Sequence, residues 1–251
     1  MNNICESNKE SNKSKVYMGW NKFKDIDKEF HKNMNEILNL DIPKINLIHH
    51  FPVFIGHVNL AKYLFLYDLY KKCFELSAHI ADVGTWKGAS FLFMAKLVRL
   101  FENYNNTQVH GFDWFEGMEP GEDDKKLDED YLSKYKSDYE MLLKLIDLQK
   151  LNDIAILHKM DITKELDTFF KKNPHLRFKM VFIDCGIKEV LDKSLENFWQ
   201  RLVNGGILIM DHYNVEVSPS ESEIVERYVG KNYIRQFPFN RQPTAYIIKE
   251  Q

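Results

Sequence analysis

From residue 79 to the end of the chain, short apolar runs alternate with longer stretches of helical period, and this rhythm restricts the fold more than any other feature. The runs are His79–Val83, Val109–Phe112, Ile154–Leu157, Met180–Ile183 and Ile207–Met210. Helical patterns fall between and after them, near Ala89–Phe101, Tyr139–Leu148, Lys164–Lys171, Val190–Leu202 and Glu221–Val229. Strands separated by a helix have the crossover length that parallel pairing needs, and continuous apolar runs suit strands covered on both faces. The expected class is therefore α/β, a mostly parallel sheet with helices on both sides. Within Val190–Leu202, Leu191, Leu195, Phe198 and Leu202 recur at helical spacing, and Asn204-Gly205-Gly206 is expected to close that helix as a left-handed C-cap. The last two runs, Tyr233–Phe237 and Thr244–Ile248, are joined by Pro238 to Pro243. No crossover helix fits in that space, so they are expected to form an antiparallel hairpin and bring the sheet to seven strands.

The first part of the chain reads differently. Residues 1–15 are rich in Asn, Ser and Lys and are expected to be a disordered leader without an apolar export segment. Residues 16–77 read as an N-terminal helical extension, and residues 78–251 as the α/β domain. In the extension, Trp20, Phe23, Ile26, Phe30, Met34, Ile37 and Leu38 recur at threes and fours, as on an amphipathic helix. After Pro43 and Pro52, a second helix is expected over His57–Leu76, with Leu60, Leu64, Tyr67 and Leu69 facing inward. The most apolar stretch, Phe51–Tyr67, is interrupted by His57, Asn59 and Lys62 and is not expected to cross a bilayer. Cys5, Cys73 and Cys185 include no CxxC pair, which implies a reducing, cytoplasmic setting, and Cys185 reads as a packing residue rather than a nucleophile. With 34 Lys and Arg against 37 Asp and Glu, the chain lacks the positive excess of a nucleic-acid binder, and 14% aromatic residues argue against disorder.

The first chemical motif joins the first strand to the first helix: Ala81-Asp82-Val83-Gly84-Thr85-Trp86-Lys87-Gly88. Two glycines in such a turn let backbone come close to a neighbour or ligand, and in an open parallel sheet the turn lies at the ligand-binding edge. A dinucleotide fingerprint would need glycines where Trp86 and Ala89 stand, so a pyrophosphate has no close backbone seat. The form Asp-x-Gly-x-x-x-Gly suits a phosphate-free ligand such as S-adenosylmethionine. Asp113 ends the next strand and is placed to accept both ribose hydroxyls. Asp161, after the third strand, is either a contact at the adenine end or the N-cap of the following helix.

These segments carry a resemblance. Asp82–Ser90, Gly111-Phe112-Asp113-Trp114-Phe115-Glu116-Gly117, Phe182-Ile183-Asp184-Cys185 and Gly205-Gly206-Ile207-Leu208-Ile209-Met210-Asp211 are similar to the macrocin O-methyltransferase family of class I S-adenosylmethionine-dependent methyltransferases. The similarity runs from about residue 50 to the end. It implies a Rossmann-like fold with a terminal antiparallel hairpin, S-adenosylmethionine as cofactor, and methylation of hydroxyls on sugars or surface glycans. It also implies that Asp82, Gly84, Thr85, Trp86, Gly88, Ser90, Asp113, Trp114, Asp161 and Asp184 are the cofactor-binding positions. Several members of the family hold a divalent metal on acidic residues after the fourth and fifth strands. At those places this chain has Asp184-Cys185-Gly186 and Asp211-His212, so two of the family's metal carboxylates are missing. Two oxygens and one nitrogen are a poor set for Mg²⁺, and the expectation leans against metal dependence.

Asp184, Asp211 and His212 form the second cluster, each aspartate ending an apolar strand. Methyl transfer to an alcohol needs alignment and removal of a proton, and His212 has the side chain suited to that proton at neutral pH. Asp184 or Asp211 would orient the imidazole or bind a metal. The acidic segment Glu116–Asp130 reads as a solvated loop or a lid, and His49, His50 and His57 match no ligand spacing. The acceptor is expected to be a small molecule, a nucleotide sugar or a glycan precursor, without nucleic acid or membrane insertion; homo-oligomerisation stays open. Three alternatives stand beside this reading. They are methylation of a phosphate-linked, phosphoramidate or amine group of a capsular polysaccharide, a nicotinamide oxidoreductase, and a cofactor-binding partner without catalysis.

Overall fold

The computed structural model describes residues 21–118, 135–216, 218–230 and 234–250. The leader, Cys5 and Trp20 lie outside the described residues, as does most of the acidic segment after Met118. The chain divides into two compact units, Met1–Leu60 and Ala61–Gln251. The first holds helices α1 (Lys24–Leu38), α2 (Lys44–His49) and α3 (Phe51–Phe54), with Pro52 in the first turn of α3, where its missing N–H costs nothing. In this unit Phe30 meets the His57 ring edge-on, and Gly56 leaves room for Phe30.

Helix α4 (His57–Cys73) crosses from the first unit into the second. The second unit continues as β1 (His79–Val83), α5 (Ala89–Phe101), β2 (Val109–Asp113), α6 (Tyr139–Leu148), β3 (Ala155–Lys159), α7 (Ile162–Lys172), β4 (Phe178–Ile183), α8 (Lys188–Arg201), β5 (Leu202–Met210), α9 (Pro219–Val229) and β6 (Ala245–Ile248). The strands form one sheet in the order β3-β2-β1-β4-β5-β6, parallel throughout except for β6. The strand alternation divides the core in two. Ile80, Met180, Phe182, Ile207 and Ile209 face one layer with Phe65, Leu69, Phe91 and Met94, while Ala81, Val181, Ile183, Leu208 and Met210 face the other with Leu166, Leu191, Leu195 and Ile224. Both faces are covered, as continuous apolar strands require.

Three local expectations are corrected. Among the described residues the sheet has six strands, not seven. The run that begins at Tyr233 contributes one antiparallel bridge, where Arg235 and Tyr246 exchange backbone hydrogen bonds of 2.9 and 2.8 Å. Second, α8 does not end at the glycines. It stops at Arg201, and Gly205 and Gly206 lie inside β5, where its register against β4 shifts between Phe178 and Met180. The last helical carbonyls are capped from outside instead: Lys249 Nζ donates to Trp199 O at 2.7 Å and Leu202 O at 2.8 Å. Third, α4 turns a different face inward. Phe65, Leu66, Leu69, Tyr70 and Cys73 are buried, while Leu60 and Leu64 are exposed. A helix apolar on nearly every side carries no unique phase in its pattern.

One buried charge pair anchors the back of the first layer. Lys179, fully buried in β4, donates to Glu102 Oε2 at 2.6 Å, Phe74 O at 2.9 Å and Thr107 Oγ1 at 3.2 Å. Glu102 also accepts from Tyr70, Asn105 and Thr107, each at 2.6 Å. Burial pushes the Glu102 carboxyl up, but these donors, Lys179 first, outweigh it and hold it below the ordinary range.

Candidate functional site

β1 and β4 are neighbours in the sheet although β2 and β3 come between them in the chain, so the strand order reverses there. In an open parallel sheet a crevice opens at the carboxyl ends of the strands at such a point. Two turns meet in it. Gly84 N donates to Phe112 O at 2.9 Å, and Asp184 N donates to Val83 O at 2.8 Å. Gly84 has φ +85°, and a Cβ on it would lie 2.0 Å from the Asp184 carbonyl oxygen. Gly88, at φ +81°, would bring its Cβ within 2.6 Å of Leu142. Gly84 therefore lets the β1 turn lie close against the β4 turn, while Gly88 makes room for the Leu142 side chain.

Asp82 is fully buried and accepts from Ser90 Oγ at 2.9 Å, while Thr85 Oγ1 donates to its backbone carbonyl at 3.0 Å. Its Oδ2 is buried with no hydrogen-bond partner among the described residues. Burial raises this carboxyl to about 7 against the pull of Ser90 and Lys62. Asp113 receives two backbone donors at 2.7 Å, Trp86 N on Oδ2 and Phe115 N on Oδ1. Trp86 and Phe115 both hold positive φ, 48° and 69°. Non-glycine residues adopt that conformation at a cost, and here one carboxylate fastens both. Each Asp113 oxygen keeps a further lone pair for a ligand hydroxyl. Trp114 Nε1 donates to Gly117 O. Asp161 is the N-cap of α7, accepting from Thr163 N at 3.0 Å and pairing with Lys164 at 2.7 Å. Of its two sequence readings, the cap is the one seen.

The second cluster lies at the ends of β4 and β5. Asp184, Asp211 and His212 each present a ligand atom within 4.8 Å of the others. Asp211 is fully buried, His212 nearly so, and Asp184 is partly open. Gln242 Nε2 donates to Asp211 Oδ2 and lies 3.1 Å from His212 Nε2. Asp211 Oδ2 stands 3.5 Å from that same ring nitrogen. His212 Nδ1 is buried without a partner among the described residues, 3.9 Å from Glu221 Oε2. Glu221 is itself fully buried, accepting the His212 backbone N–H at 3.0 Å, and burial pushes its carboxyl well up. Cys185 beside them has its thiol pushed up by burial and then by the surrounding carboxylates.

Lys62, from α4, completes the group. Its Nζ lies 3.3 Å from Asp184 Oδ2, 3.9 Å from Asp211 Oδ1 and 5.0 Å from the centre of the Phe182 ring. Burial works against the ammonium, but Asp211, Asp184 and Asp82 outweigh it and hold Lys62 above its ordinary value. The same charge pulls Asp184 below the usual carboxylate range against burial, while burial and Asp184 push Asp211 up. A divalent ion does not fit this arrangement. It would meet two carboxylates and an imidazole, with an ammonium already paired to both carboxylates.

Sequence reasoning found Asp184, Asp211 and His212 and missed Lys62, Gln242 and Glu221. Lys62 did leave a signal, as a lone charge inside the most apolar stretch of the chain. Gln242 and Glu221 left none: the first turn of α9 brings Glu221 to the strand ends, and the return of the chain after α9 brings Gln242. His49, His50 and His57 join no ligand group among the described residues. Glu116 spends its charge on Lys136 and Lys159, at 3.0 and 2.9 Å, on an open surface. No helix among the described residues is long and apolar enough to cross a membrane.

Comparison with known proteins identifies the family and supports the fold. A family model described as a methyltransferase domain matches residues 81–213, from the first turn to the loop after β5. A solved structure of CalS11, a calicheamicin methyltransferase, is similar at 20% identity and TM-score 0.78, with 89% of this chain and 92% of that one covered. An apo structure of CalS11, described as a TDP-rhamnose 3'-O-methyltransferase, is similar at 21% identity and TM-score 0.72, with 89% and 94% covered. The O-methyltransferase NovP is similar at 17% identity and TM-score 0.64, with 76% and 80% covered. A search of curated proteins gave no match.

Proposed function

The chain belongs to the methyltransferase-domain family, with S-adenosylmethionine as methyl donor, and on that premise we propose that it methylates a hydroxyl of a sugar or surface-glycan precursor. The observation that carries this reading is the convergence of Asp184, Asp211 and His212 at the strand ends, locked to the glycine turn through Val83 and Gly84. In this reading Asp113 takes the ribose hydroxyls, and the turn Gly84–Gly88 carries the methionine end, with Asp82 and Ser90 stiffening it from below.

The acceptor oxygen attacks the methyl carbon in line with the sulfur. The carbon–sulfur bond breaks, S-adenosylhomocysteine leaves, and the hydroxyl proton passes to His212. In the acceptor complex the hydroxyl replaces the Gln242 amide at Nε2, and Asp211 then stabilises the imidazolium from 3.5 Å. A nucleotide-linked sugar is the first acceptor to try, since CalS11 is a TDP-rhamnose 3'-O-methyltransferase.

The test is transfer of labelled methyl from S-adenosylmethionine to a panel of nucleotide sugars and glycan precursors, with calorimetry of S-adenosylhomocysteine alongside. His212→Ala is expected to lose turnover by roughly 10²–10⁴-fold while cofactor affinity holds. Full turnover in the variant removes His212 from the role. Strong cofactor binding with no sugar methylated removes the substrate class.

A further inference from the structure

We propose that Lys62 takes the place of a divalent cation in this site, pairing with Asp184 and Asp211 and offering its remaining N–H to the acceptor oxygen. The inference rests on the methyl-transfer reading for its chemistry, though not for its test. Two carboxylates at adjacent strand ends, one of them fully buried, repel each other unless they share a proton or face a positive charge. The chain supplies it from α4: Nζ is 3.3 Å from Asp184 and 3.9 Å from Asp211. The Phe182 ring, 5.0 Å away on β4, gives the ammonium a third attractive neighbour.

An ammonium has three donors; one makes the hydrogen bond to Asp184, and Asp211 Oδ1 is held at ion-pair distance without a hydrogen bond. The Lys62 side chain is 26% exposed, and a remaining donor is the one proposed to meet the acceptor in the crevice. There it would strengthen its hydrogen bond as negative charge grows on the acceptor oxygen while the proton departs to His212. A metal ion would polarise that oxygen as a Lewis acid. The lysine supplies a weaker version of the same field without any dissociable component. Lys62 therefore positions the carboxylates and touches the reacting oxygen, whereas the proton itself goes to the imidazole.

The test is a Mn²⁺ titration of the full chain, freed of metal by chelator and followed by the electron paramagnetic resonance signal of free Mn²⁺. Wild type and Lys62→Arg are expected to leave the signal unchanged, because a cation already holds both carboxylates. Lys62→Met and Lys62→Gln are expected to gain one Mn²⁺ site, on the order of a hundredfold tighter than any wild-type binding, since like-charge repulsion is removed. Adding Asp184→Asn to either variant should abolish the gained site. S-adenosylhomocysteine calorimetry on each variant reports that the crevice is intact. Stoichiometric Mn²⁺ binding by wild type that Asp184→Asn abolishes overturns the proposal. So does a folded, cofactor-binding Lys62→Met chain that gains no site. Neither result depends on finding the methyl acceptor, so failure here is separate from failure of the sugar methylation reading.

Discussion

Lys179→Met is the sharpest test of how the sheet is held together. The methionine has nearly the volume of lysine, so the change removes a charge and its donors rather than packing. It leaves Glu102 buried with the hydrogen bonds of Tyr70, Thr107 and Asn105 but without a counter-charge. Breaking one partner of a buried ion pair costs about 3–5 kcal/mol, and the three surviving donors place the loss near the lower end, about 3 kcal/mol. Removing both charges, as Lys179→Met with Glu102→Gln, should shrink the loss to about 1–2 kcal/mol, the value of the lost hydrogen bonds. The pH dependence must also reverse. In wild type the Glu102 carboxyl lies below its unfolded value, so its stabilisation is present above that value and fades as pH falls through the folded one. In the single variant burial dominates and the folded value rises above the unfolded one. The damage is then largest at neutral pH and shrinks toward about pH 5, where the buried acid takes up a proton. Urea unfolding of the two variants at about pH 5 and about pH 7.5 measures both effects. A single-variant loss below about 1 kcal/mol, or one of the same size at both pH values, would refute the reasoning.

Two further outcomes are expected. Gly84→Ala should destabilise by about 2–4 kcal/mol and weaken S-adenosylmethionine binding, because φ +85° and a 2.0 Å approach to the Asp184 carbonyl oxygen force the two turns apart; a melting curve and a calorimetric titration that both match wild type would contradict this. The His110 and His158 rings stack with centroids 5.3 Å apart, His110 Nδ1 lying 3.0 Å from His158 Nε2, and burial lowers them to about 3 and about 4. Their folded values lie below the unfolded value of about 6.5, so stability is complete above that pH and falls below it by up to about 1.4 kcal/mol per pH unit for each ring. Urea midpoints compared between wild type and His110→Leu should show the acid loss reduced in the variant.

The parts of this molecule that could be read in advance are those with a local cause. Met180–Ile183 and Ile207–Met210 are continuous apolar runs because both sheet faces are covered, and they announced central strands. Asp82 to Gly88 and Asp113 could be found because a turn between strand and helix has its own residue chemistry. What escaped depends on distant partners. The carbonyls of Trp199 and Leu202 where α8 ends are met by Lys249, 48 residues past Arg201, and no pattern around Gly205 records that. The strand expected from Tyr233 pairs at Arg235 and Tyr246 alone among the described residues, although its composition matches a longer one. Lys62 had to be recognised as an ion-pair partner from a helix whose amphipathic phase is itself ambiguous. Charge balance at the strand ends is a tertiary property, and the sequence around Asp184 and Asp211 shows the demand without showing who meets it.

Asp113 has a consequence beyond the ligand contact proposed for it. Because its two oxygens grip the backbone of Trp86 and of Phe115, one side chain works as a clasp across the openings of two separate loops. A guest that draws on those oxygens is felt at once by both, so the rim of the crevice responds as a unit, and neither loop can drift into a relaxed backbone shape while the other stays fastened.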